Sequence, residues 1–177
     1  MKRAVLIALL LLCVAVSGSL IAKEKEKAKP VNMKDISRVF VGWVDINPED
    51  YHMQGYSTKQ EWLDVISGAN DTFQKSLASS KALSGRTVTT AKNRDDANTA
   101  GNDLSIKFSD VQFDKKYRLH LAVHFMDVKT NTEVGSIPAK TYGAHLCSLS
   151  GCMDKELEEV NREVQKELAG APTEETH

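Results

Sequence analysis

KYRLHLAVHFMD, residues 116–127, is the stretch that decides the fold. Tyr117, Leu119, Leu121, Val123 and Phe125 alternate with Arg118, His120, Ala122, His124 and Met126. A period of two predicts a strand with one face on a core and the other wet or against a partner. Its neighbours extend the sheet. Upstream, DLSIKFSDVQFD (103–114) alternates through Leu104, Ile106 and Phe108, then resumes out of phase at Val111 and Phe113, which predicts a bulge near Ser109-Asp110. Downstream, VKTNT (128–132) makes a turn in which Asn131 tolerates a left-handed backbone. EVGSIPAKTYG (133–143) is the returning strand, and Pro138, which has no N–H to give a ladder, puts it at a sheet edge.

Further toward the amino terminus, RVFVGWVDI (38–46) is apolar on both alternating sets, as a strand inside a sheet is. NPEDYHMQGY (47–56) is a loop. Thr58, with Glu61 three residues on, forms a capping box, and Trp62, Val65, Ile66, Ala69, Phe73 and Leu77 follow at helical spacing. Ser79-Ser80 and Ser84-Gly85 mark the exit, RTVTTAK (86–92) is a short strand and NRDDANTAGND (93–103) a polar loop. A last helix, MDKELEEVNREVQKELAGAP, carries its stripe on Met153, Leu157, Val160, Val164 and Leu168, and Gly170 and Pro172 stop it. The order β-α-β-β-β-β-α predicts an α+β sandwich of two layers, both helices on one face of a mixed, mostly antiparallel sheet.

At 177 residues there is room for one domain with a sizeable core. The start, MKRAVLIALLLLCVAVSGSLIA, has two cations, an apolar run over 4–16 and small residues after it, the layout of a secretory signal over residues 1–22. That run is shorter than the about 20 residues of an ordinary spanning helix. Cleavage leaves a chain with no stable membrane span; an uncleaved or lipidated amino-terminal anchor is the alternative. Cys13 lacks the small preceding residue of a lipidation signal, since Leu12 stands there. Residues 23–34 read as a charged linker, 35–170 as the single α+β domain and 171–177 as a flexible tail. Loss of Lys2 and Arg3 takes the formal net charge from −1 to −3, which argues against nucleic acid as a partner.

Cys147 and Cys152 are then the two remaining cysteines, in an oxidising compartment that favours a disulfide. Along a continuous helix they would be about 7.5 Å apart in rise, too far to bond, so the staple requires SLSG (148–151) to turn. Free thiols are the second reading. Redox exchange prefers two intervening residues rather than four, and a zinc site wants more ligands than His145 adds. His120 and His124, four apart on a strand, lie about 13 Å from each other and do not make a metal pair. Residues 93–103 resemble a calcium loop only in part, because Lys107 stands where its closing glutamate belongs. Asn70-Asp71-Thr72 is a glycosylation sequon inside a predicted helix.

No GxSxG, P-loop or HExxH pattern occurs, and no cofactor, metal or catalytic residue is expected. The candidate partner-binding residues are Tyr51, His52, Met53 and Tyr56 in the 47–56 loop, with Arg118, His120 and His124 on the wet face of the 116–127 strand. The loop aromatics have a second reading, folding back over Trp43 and Trp62 to complete the core.

LHLAVHFMDVKTNTEVGSIPAKTYG (119–143) followed by DKELEEVNREVQKEL (154–168) resembles a class of small bacterial envelope α/β accessory domains, the TolB amino-terminal and CsgG-like kind. Asp127, Lys129 and Thr130 fit the hairpin of that class, with Asn131 in place of its glycine; the likeness covers about residues 102–169. It implies an accessory, protein-binding role and carries over no catalytic residue. The expectation is a secreted or periplasmic, non-enzymatic domain that binds an envelope protein or component. The alternatives are a small-ligand binder or enzyme with a pocket between helices and sheet, for which His145, Asp110 and Asp127 are the available polar groups, and an inhibitor-like structural module.

Overall fold

The computed structural model describes residues 32–143 and 152–170. The signal and lipidation readings, most of the linker, the tail, His145 and Cys147 lie outside the described residues. In chain order the regular elements are β1 (Arg38–Val41), α1 (Lys59–Ala78), β2 (Thr87–Thr90), β3 (Leu104–Phe113), β4 (Leu119–Asp127), β5 (Thr132–Tyr142) and α2 (Cys152–Leu168). The sheet runs β2-β1-β3-β4-β5. β1 pairs in parallel with both β2 and β3, over short ladders. β3–β4 and β4–β5 are long antiparallel ladders, so the mixed sheet is mostly antiparallel.

One face of the sheet carries the core. Val39, Val41, Leu104, Ile106, Leu119, Leu121, Val123 and Phe125 are fully buried against Trp62, Ile66, Phe73 and Leu77 of α1 and Met153, Leu157, Val160 and Val164 of α2. Both helices therefore lie on the same side, in two layers. Burying each large apolar side chain contributes about 1.5–3 kcal/mol, so the inward set of β4 alone fixes which way the strand faces. α1 starts where its capping box closes: Glu61 N–H donates to Thr58 Oγ1 at 3.2 Å and Thr58 N–H to Glu61 Oε2 at 3.2 Å. Gly170, at φ 66, follows α2 as the expected cap.

Two strand limits differ from the sequence pattern. β4 begins at Leu119 rather than residue 116, because Tyr117 sits at φ 56 in a turn that Asp114 organises. β1 ends at Val41 rather than running to Ile46. Beyond it Gly42 N–H still reaches Ile106 O at 2.9 Å, but Val44 and Ile46 are buried against α1 instead of a neighbouring strand. Two buried amides on α1 take over there. Asn70 accepts from Val44 N–H at 2.8 Å and donates to Val44 O at 3.2 Å. Gln74 Nε2 donates to Gly42 O and Ala91 O, both at 3.1 Å, tying the ends of β1 and β2. Asn70 is completely buried, so the folded protein offers no side chain for glycosylation at its sequon.

The β3 bulge falls at the expected place: register slips between Ser109 and Gln112, with Asp110 at φ 54. β5 is an edge strand carrying two slips of its own, one around Pro138 and one at Val134. The polar 91–103 connection crosses the face of β1 and β2 away from the helices. Arg38 Nη1 donates to Gly101 O at 3.1 Å, and Thr89 Oγ1 lies 3.1 Å from Asn102 Oδ1. Arg38, Phe40 and Thr89 share that face by register, and Phe40 is buried there. The connection thus covers half of the outer face and leaves the β3–β5 half open.

Candidate functional site

Sequence pattern alone kept the 47–56 loop and the β4 face apart; the structure joins part of them. Asn47 opens the loop by accepting from Glu49 N–H at 3.1 Å, which starts a single 3-10 turn over Pro48–Tyr51. Trp62 Nε1 donates to Asn47 O at 3.1 Å. At the far end Tyr56 N–H closes onto Tyr51 O at 2.9 Å, with Gly55 at φ 81 supplying a turn that a side chain would strain. Between them Gln54 is buried and donates from Nε2 to Phe113 O at 3.1 Å and Asp114 O at 3.3 Å. That amide clamps the loop to the β3–β4 turn.

The four loop candidates divide. Tyr51 and Tyr56 pack against the core, Tyr56 with its ring 5.2 Å from Trp62, which in turn lies 6.0 Å from Phe113. Burial raises the Tyr56 phenol above its ordinary pKa, with help from Tyr117 and Glu61. His52, stacked at 3.9 Å on Tyr51, is exposed. Met53 is 39% exposed and, with Val134, is one of two exposed large hydrophobic side chains among the described residues.

Beside them, Asp114 accepts from Lys116 N–H at 2.8 Å and Arg118 N–H at 3.1 Å, and its Oδ2 takes Arg118 Nε at 2.9 Å and Nη2 at 2.6 Å. Burial alone would raise this carboxyl. The Arg118 side chain and the two backbone donors outweigh it and hold the pKa below the ordinary value. Arg118 is therefore fixed in place, while Lys115 and Lys116 stand exposed next to it. The result is a loop with an apolar tip at Met53 and an imidazole at His52, clamped to a turn that carries the exposed cations Lys115 and Lys116 beside the Asp114–Arg118 ion pair.

His120 and His124 do not join that end, nor each other. His120 Nδ1 lies 3.1 Å from Thr141 Oγ1. His124 is held by residues of two other strands, Nε2 at 2.8 Å from Ser109 Oγ and Nδ1 at 2.7 Å from Glu133 Oε2. This three-residue chain is not legible from spacing, because both contacts are diagonal across strands and the β5 slip at Val134 is what brings Glu133 opposite Met126, beside His124. Among the described residues there is no group of three or more His, Cys, Asp or Glu placed to hold a metal. Cys152 is buried.

The charge pattern of α2 also held a surprise. Glu156 and Glu167, next in sequence to Leu157 and Leu168 of the apolar stripe, are buried. The Glu156 carboxylate lies against Gly143, at φ 96, where a β-carbon would collide with it. Burial, then Glu163, raises the Glu167 pKa.

A cleft of about 330 Å³ opens between α1 and the 43–48 segment, floored by Trp43, Ile46, Pro48 and Leu63. Asp45 and Arg94 pair across its rim at 3.3 Å. Asp110 and Asp127 do not line it: Asp110 sits at the β3 bulge, and Asp127 accepts from Thr130 N–H at 2.8 Å in the β4–β5 turn. No helix among the described residues is long and apolar enough to cross a membrane.

No protein family and no curated protein matches the chain. Among solved structures it is similar to a PelC dodecamer from Paraburkholderia phytofirmans, at 13% identity and a TM-score of 0.39, covering 73% of this chain and 86% of that one. It is also similar to a Xanthomonas campestris protein of the DUF330 family, at 8% identity and a TM-score of 0.41, covering 81% and 93%. Likenesses at this level carry no argument about what the chain does.

Proposed function

We propose that the protein is a secreted or periplasmic accessory domain of the cell envelope, and that it binds an acidic segment of another protein at the Met53–Arg118 end. The observation that carries this is the Gln54 clamp. A buried amide ties the loop that carries an exposed methionine and imidazole to the turn that carries two exposed lysines. An apolar tip gives a partner side chain something to bury on, and the two exposed lysines favour carboxylates on approach. The signal layout supports an address outside the cytoplasm, and the resemblance of 102–169 to TolB-type and CsgG-like domains supports an envelope partner. In this reading Cys147 and Cys152 form a staple at the start of α2, which an intact mass two hydrogens short of the reduced chain would register.

A photo-crosslinking residue at Met53, placed in the full chain in its native host, tests the surface. The expected product is one discrete adduct with an acidic protein, lost when Lys115 and Lys116 are both changed to Glu and weakened by salt. Equal crosslinking from Met53 and from exposed Glu158 on α2 would sink the assignment. The cleft under Trp43 supports a second reading, a small-ligand binder. Ligand-dependent thermal stabilisation that Trp43→Ala abolishes would favour it.

A further inference from the structure

The open half of the sheet carries a hydrogen-bonded series that neither the partner surface nor the fold requires. Ser109 on β3, His124 on β4 and Glu133 on β5 lie in a row, Oγ to Nε2 at 2.8 Å and Nδ1 to Oε2 at 2.7 Å. The carboxylate decides the tautomer. Glu133 can only accept, so Nδ1 carries the proton, and in neutral His124 Nε2 keeps a lone pair aimed at the serine hydroxyl. The one hydroxyl proton of Ser109 has two acceptors in reach, Asp110 Oδ2 at 3.3 Å and Nε2 at 2.8 Å, and rotation about the Cβ–Oγ bond turns it from the carboxylate to the imidazole. Lys107 stands opposite His124 in register, two residues before Ser109 on the same face, and exposed. Lys107 thus shares the open face with the hydroxyl, within reach of a flexible side chain.

We propose that Ser109 is a base-activated nucleophile that takes acyl groups from unhindered carboxylic esters. The His124 side chain is 32% exposed and that of Glu133 45%, so the substrate approaches from solvent across an open face. An ester borne on an extended molecule fits such a face. As Ser109 Oγ bonds to the carbonyl carbon, its proton passes to His124 Nε2, and Lys107 faces the oxyanion. The bond to the alcohol oxygen then breaks, and the departing alcohol takes the proton from Nε2. Water repeats the cycle on the acyl-serine, giving the carboxylic acid and free Ser109. Glu133 is a positioning residue that acts through His124. This chemistry is independent of the partner at the Met53 end.

A fluorophosphonate and the activated ester p-nitrophenyl acetate are the probes, used on the full chain with site assignment by peptide mass. The expected result is a phosphonyl or acetyl adduct on Ser109, formed with loss of fluoride or p-nitrophenolate. His124→Gln should slow it about 100-fold, within the range of general-base assistance. Glu133→Gln should slow it and Glu133→Asp should restore it, while Ser136→Ala, opposite His124, should leave the rate unchanged. Thermal unfolding of each variant separates loss of folding from loss of reactivity. The proposal is overturned if the folded wild-type protein gives no Ser109 adduct, or if folded His124→Gln reacts as fast as wild type.

Discussion

Replacing Asn70 by Leu tests whether a single side chain on α1 holds the chain where it leaves β1. The substitution keeps the volume and removes the amide. Val44 is fully buried, and its N–H donates to Asn70 Oδ1 at 2.8 Å. Without that acceptor a buried donor is stranded, at a cost of about 1–3 kcal/mol. The two bonds from Nδ2, to Val44 O at 3.2 Å and Ile66 O at 3.1 Å, are lost more cheaply. Val44 O keeps Ile46 N–H at 3.0 Å, and Ile66 O keeps its place in the helix ladder. Together these two bonds contribute about 1–2 kcal/mol, and the leucine regains about 1 kcal/mol by burial. The net loss is about 1–4 kcal/mol, a large part of the stability of an ordinary domain. Urea unfolding followed by tryptophan fluorescence reads it directly, with a fall in Tm of about 10 °C as a second measure. Asn70→Asp keeps an acceptor for Val44 N–H but turns a negative oxygen toward two carbonyls, so it should be at least as damaging. An Asn70→Leu protein within about 0.5 kcal/mol of wild type would refute the reasoning, since surface-like tolerance at this position means Val44 has another acceptor.

Two glycines should respond with opposite signs. A β-carbon at Gly42 would sit 2.9 Å from Ile106 O, so Gly42→Ala should cost about 1–3 kcal/mol, whereas Gly68 lies in mid-helix with nothing within 4 Å, and Gly68→Ala should stabilise by about 0.5–1 kcal/mol; paired urea titrations check both. Asp103 accepts from the Ser37 and Arg38 backbone N–H groups, both at 3.0 Å, and these, with Lys129, lower its pKa. A lowered folded-state pKa gives stability that is present above the unfolded value of about 3.9 and is lost as pH falls through the folded one. Asp103→Asn should therefore unfold more easily than wild type near pH 7, and the difference should vanish in acid. A difference that persists unchanged to low pH would assign the effect to packing instead.

The parts of the fold that were legible in the sequence are those where one residue spacing has one solution. The β4 alternation, the α1 capping box and the α2 stripe each bury a continuous set of apolar side chains, and periodicity reports that directly. The β3 bulge was legible because a change of phase between Phe108 and Val111 cannot be absorbed by a regular ladder. The polar interior was not legible. Asn70, Gln74 and Gln54 look like solvent-facing residues in a pattern, yet each is buried because loose backbone ends nearby need a donor or acceptor, and no local spacing encodes that need. The candidate site divides along the same line. The loop and Arg118 were visible as composition, but their union depends on Gln54 reaching a turn about sixty residues away. Ser109, His124 and Glu133 come from three strands, and Glu133 falls into line only after the β5 slip at Val134, so their meeting depends on the assembled sheet.

The position of β1 between β2 and β3 sets an order of assembly. β3, β4 and β5 pair with their neighbours in the chain and can zip up locally, whereas β1 must wait for partners that begin at Thr87 and Leu104. Non-local parallel pairing is slow to close. Among the described strands RVFV is made first and protected last, and until then it exposes two unpaired edges and apolar side chains on both faces. By this topology β1 is expected to dock late, and Arg38–Val41 is the segment that a chaperone following the nascent chain has most reason to hold.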